Sequence, residues 1–146
     1  MNLGQTFFDI LDADQTVSDW VARFDWNSTT YKAIFPAEPP QAVLTPFPCV
    51  IAASNVAGST RHGINFQRVE MVRQVELFAH ISNRASEIDA MAEHVWGLFF
   101  QPAVSTIGDW TVVVIEPTGG ITTAPTDETL RGRLISVRVA LQKDNG

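Results

Sequence analysis

Residues 66–81 read Phe66-Gln67-Arg68-Val69-Glu70-Met71-Val72-Arg73-Gln74-Val75-Glu76-Leu77-Phe78-Ala79-His80-Ile81, and their alternation decides the fold. Val69, Met71, Val75, Leu77, Ala79 and Ile81 fall on one side, interrupted by Arg73. Arg68, Glu70, Gln74, Glu76 and His80 fall on the other, interrupted by Val72 and Phe78. Side chains of a strand point alternately to its two faces, so this is one long strand with an apolar side and a wet side.

Toward the C-terminus, Asn83 is placed to cap a helix whose stripe is Ile88, Met91, Ala92, Val95 and Phe99, with Trp96 at its edge. That helix is predicted to end near Phe100, where Gln101-Pro102 stops it. Trp110–Glu116 follows as a strand on Val112, Val113, Val114 and Ile115, then a long loop over 117–128 containing Gly119-Gly120. Leu130–Gln142 closes the sheet, with Ile135, Val137, Val139 and Leu141 inward and Ser136, Arg138 and Gln142 outward. Arg131 and Arg133 share a face and read as edge solvation and ion pairing.

Toward the N-terminus, residues 55–65 are rich in Gly, Ser, Thr and Asn and read as a mobile loop. Cys49–Ser54 is a short apolar run, as expected of a strand buried on both faces. Five prolines at 36, 39, 40, 46 and 48 make residues 36–48 an extended connector, because proline lacks the donor that a ladder needs. Residues 1–35 read as short helices. Asn2 with Gln5 resembles a capping box opening a helix over 3–12. Thr16 with Asp19 opens a second, whose face is Val17, Trp20, Val21 and Phe24. Asp9, Asp12, Asp19 and Asp25 read as a solvated helix face.

These elements predict one α+β domain over residues 1–146: a mainly antiparallel sheet of about four to five strands, one long helix packed on a face, and short N-terminal helices. The 146-residue length suits a single domain. Cys49, the lone cysteine, excludes an intramolecular disulfide, and no apolar run reaches the roughly 18–20 residues of a membrane span. A soluble, cytoplasmic protein is expected. Residues 1–60 hold six acids against two bases, within a net charge of −6, so phosphate-driven nucleic-acid binding is not expected.

Chemistry is hard to find. His62, His80 and His94 lack metal-ligand spacing, although His80 and His94 with Glu76 or Glu93 are the set that a small metal-dependent hydrolase would use. No G-x-S-x-G and no phosphate loop is present, and Cys49 in an apolar strand reads as an inert hydrophobe. No catalytic residue, cofactor or metal is expected, and the protein is not read as an enzyme. Long loops in small domains usually serve a function, so contact with other protein chains is the natural role. The loops nominate Ser59, Thr60, Arg61, His62, Asn65, Thr122 and Thr123 as subunit-interface residues.

Phe47-Pro48-Cys49-Val50-Ile51-Ala52 resembles the F-P-x-[VI]-x-V opening strand of lambda-like tail terminator proteins of tailed phages. The run Val75-Glu76-Leu77-Phe78-Ala79 resembles the end of that family's long strand, and Ser86-Glu87-Ile88-Asp89-Ala90 its Glu-[LI]-Asp-Ala helix start. The resemblance spans about residues 45–142. It implies an α+β subunit of a homohexameric ring on the head-proximal end of the tail tube, located in the virion tail and, during assembly, in the host cytoplasm. The implied partners are the tube protein and a head–tail connector or neck protein. No membrane and no specific nucleic-acid contact is implied, and an acidic subunit lets DNA pass without adhering. Another neck or tail-completion protein, the hydrolase above, and a chaperone or adaptor module are the alternative readings.

Overall fold

A computed structural model describes residues 2–36, 46–62 and 65–144, with backbone alone at 53–62. The chain runs through α1 (Leu3–Asp12), α2 (Gln15–Trp20), β1 (Arg23–Trp26), β2 (Thr29–Lys32), β3 (Ile34–Phe35), β4 (Cys49–His62) and β5 (Phe66–His80). A 3-10 turn at Ala85–Glu87 leads into α3 (Ile88–Leu98), followed by β6 (Thr106–Ile107), β7 (Trp110–Pro117), β8 (Thr122–Thr123) and β9 (Leu130–Asp144).

The strand read at 66–81 is β5, and it lies antiparallel to β9 along its whole length, Phe66 opposite Asp144 and His80 opposite Leu130. Around this pair a seven-stranded sheet forms in the order β3-β4-β5-β9-β7-β6, with β8 also paired to β9. Val75, Leu77 and Ala79 of β5 and Ile135, Val137, Val139 and Leu141 of β9 are buried on one face, as their alternation predicted. Helices α1 and α3 cover that face, and Phe7 of α1 meets Phe99 at 4.7 Å between ring centroids. Cys49, Val50, Ile51 and Ala52 are all buried, so the start of β4 is covered on both sides.

The expected architecture needs correction. The chain is 46% strand, in a curled mixed sheet of six to seven strands with a short helix, not four to five strands carrying one long helix. The sheet is mixed because β3 runs parallel to β4, with Ile34 opposite Val50. The helix expected from Asn83 to Phe100 covers only Ile88–Leu98. Its stripe is correctly placed, since Ile88, Met91, Ala92, Val95 and Phe99 are buried. Asn83, however, caps nothing: its N–H donates to the His80 carbonyl at 2.8 Å, closing the turn after β5. Arg84 then adopts a left-handed φ of 62°. Its guanidinium donates to the carbonyls of Asp19 at 2.8 Å and Trp20 at 3.1 Å, placing a cation at the C-terminus of α2.

The N-terminal third also differs from its reading. Helix α1 is where expected, and Asn2 Oδ1 accepts from the Gln5 N–H at 3.0 Å. The reciprocal half of the capping box is not made, because the Gln5 side chain donates to Asp9 instead. Helix α2 is capped by Asp14, which accepts from the Val17 N–H, and not by Thr16. It ends at Trp20, so Phe24 belongs to a strand. Residues 23–32 are a β-hairpin turning at Asn27-Ser28, both with positive φ, as a two-residue primed turn requires. Asp12 is ion-paired with Lys32 at 3.0 Å, while Asp25 accepts from the Thr30 hydroxyl. Within the connector, 37–45 lies outside the described residues, as do Pro39 and Pro40.

Phe99 is fully buried against Phe7 and ends the α3 stripe. Phe99→Ala is expected to lower the unfolding free energy by about 3–5 kcal/mol in urea titration, the cost of emptying a packed aromatic site.

Candidate assembly surface

The segment nominated as a mobile loop at 55–65 is instead mostly strand: β4 continues to His62. Ser59 stands opposite Glu70, Thr60 opposite Val69, Arg61 opposite Arg68 and His62 opposite Gln67. Polar, glycine-containing sequence forms a strand here because β5 offers a long template of unpaired backbone groups. The register slips between Ala52 and Asn55 and again between Asn55 and Ala57, which absorbs the irregular sequence. The side chains of Ser59, Thr60, Arg61 and His62 lie outside the described residues, and Asn65 is exposed just before β5. The 117–128 loop likewise contains a short strand, for Thr122 and Thr123 form β8 and stay exposed.

The nominated residues do not converge. Through β5, Ser59 lies level with Ala140 of β9, whereas Thr122 is paired with Leu134. Six residues of strand separate those levels, about 20 Å at roughly 3.3 Å per residue. They are two places on the sheet.

The hydrolase set is dispersed as well. His94 Nε2 lies 2.7 Å from Asp14 Oδ2, tying α3 to the cap of α2. His80 Nδ1 lies 2.6 Å from the Ser82 hydroxyl. Among the described residues, no three of His, Cys, Asp and Glu are grouped to hold a metal ion. Burial, with the nearby Glu76 charge adding to it, pushes the Cys49 thiol up to about 12. Arg131 and Arg133 share a face as expected, and Arg133 Nε donates to Asp89 Oδ1 at 2.6 Å.

The outer face of the sheet carries an ion-pair network across three strands. Arg68 meets Glu70 at 3.0 Å on β5, and Arg138 of β9 reaches Glu70 at 3.5 Å and Glu116 of β7 at 2.9 Å. Alternating signs make this face polar but nearly neutral. Large apolar side chains also reach solvent: Trp26, Tyr31, Phe66, Ile81, Phe100 and Val113. The sequence reading overlooked the first two, because helical spacing from Val17 to Phe24 carried α2 past its end. The overlooked signal was the alternation of Phe24 and Trp26 with Arg23 and Asp25 before Asn27-Ser28. A groove of about 240 Å³ lies between α3 and the 117–121 segment, lined by Glu93, Trp96, Gly119, Gly120 and Ile121.

No protein-family model matches the chain, and no curated protein sequence matches it.

Two expectations follow from the titrating groups. At neutral pH the Cys49 thiol should resist iodoacetamide in the folded protein and react fully in denaturant, read by mass spectrometry. The Arg133 hydrogen bond holds the Asp89 carboxyl below the usual carboxylate range. A carboxyl depressed on folding stabilises above its unfolded pKa and loses that contribution as pH falls through the folded one. Asp89→Asn should therefore lower Tm slightly at neutral pH, and the difference should vanish in acid.

Proposed function

We propose that this chain is a ring-forming structural subunit of a phage tail, a terminator seated on the head-proximal end of the completed tube. The ring stops tube growth by differential binding: one face matches the last tube ring, while the other does not template another and instead offers a surface for head joining. The partners are further copies of the chain in a six-membered ring, the tube protein, and a connector or neck protein on the head side. The net charge of −6 suits a ring through which DNA slides without adhering.

The observation that carries this reading is the spread of exposed apolar side chains. Trp26 and Tyr31 are 40% and 45% exposed on the hairpin, Phe66 at the start of β5 and Ile81 just after its end are 38% and 52% exposed, and Phe100 and Val113 are 52% and 47% exposed beyond α3 and on β7. Such side chains in several directions suit a subunit gripped by neighbours at its sides and by partners above and below. The motif segments quoted for the resemblance add to it, since Cys49–Ala52 begins β4 and Ile88-Asp89-Ala90 begins α3.

The test is tube capping. Tail tubes polymerised in the presence of the purified chain should stop at uniform length and show a disc of density at one end by negative-stain microscopy. Tubes that grow as long with the chain as without it would overturn the reading.

A further inference from the structure

We draw no further inference here: the strongest candidate, the groove between α3 and the 117–121 segment with Trp96 in its lining, carries nothing because nothing in the structure shows what covers it.

Discussion

The pairing of β5 with β9 is the constraint on which the rest of the molecule depends. Each strand has fifteen residues, and they run opposite one another without a register slip. That register puts Val75 beside Ile135, Met71 beside Val139 and Val69 beside Leu141, so one face becomes a largely apolar floor. A one-residue slip would turn the whole set to the wrong side. Irregularity is displaced into the flanking strands: β4 slips twice against β5, and β7 slips between Val112 and Val114 against β9. Bulged strands bend and twist more strongly, which accounts for the curl of the sheet around α1 and α3.

The floor is not wholly apolar, and its arginines show how the helices are seated. Arg73 stands opposite Val137, and Arg133 stands opposite Leu77. Arg133 escapes the floor by reaching Asp89 in the first turn of α3, where a carboxylate also suits the helix dipole. Arg73 has no such exit: its Nε is buried without a partner, and burial lowers its pKa from the usual guanidinium value. It lies against the start of α1. An added Cβ on Gly4 would come within 3.2 Å of the Arg73 Nη2 and 3.0 Å of the Pro36 carbonyl oxygen. Glycine inside a helix costs about 1 kcal/mol relative to alanine, and here the close approach of a sheet arginine explains its presence.

What the sequence made legible follows from which elements carry their own periodicity. The floor strands and the α3 stripe did, because each buries one face against a broad partner: Val75, Leu77, Ile135, Val137 and Val95 were all read correctly. The C-terminal part of β4 was not legible, since Asn55–His62 has turn-like composition and becomes a strand only by pairing with β5. The hairpin was misread for the opposite reason, as Val17, Trp20, Val21 and Phe24 do keep helical spacing although the helix stops at Trp20. The short β3 and β6, two residues each, carry no period at all. Of the nominated surface residues, Asn65, Thr122 and Thr123 are exposed, but the groove beside Trp96 joins a helix to a distant loop and leaves no local pattern to read.

Charge is unevenly distributed along the chain, and this bears on how copies meet. The outer face of the sheet alternates Arg68, Glu70, Arg138 and Glu116 in mutual ion pairs, so it contributes little net field. Residues 1–60, by contrast, hold six acids against two bases. Asp9 and Asp19 are exposed on α1 and α2, and Asp25 on β1. Two copies facing each other through this acidic side would repel within the roughly 8 Å over which charge is felt at physiological salt. An isologous contact places a surface against itself and meets that repulsion in full. A heterologous contact sets that side against a different surface, so the acidic side does not have to approach itself. The distribution of charge therefore disfavours a two-fold contact between copies through this side.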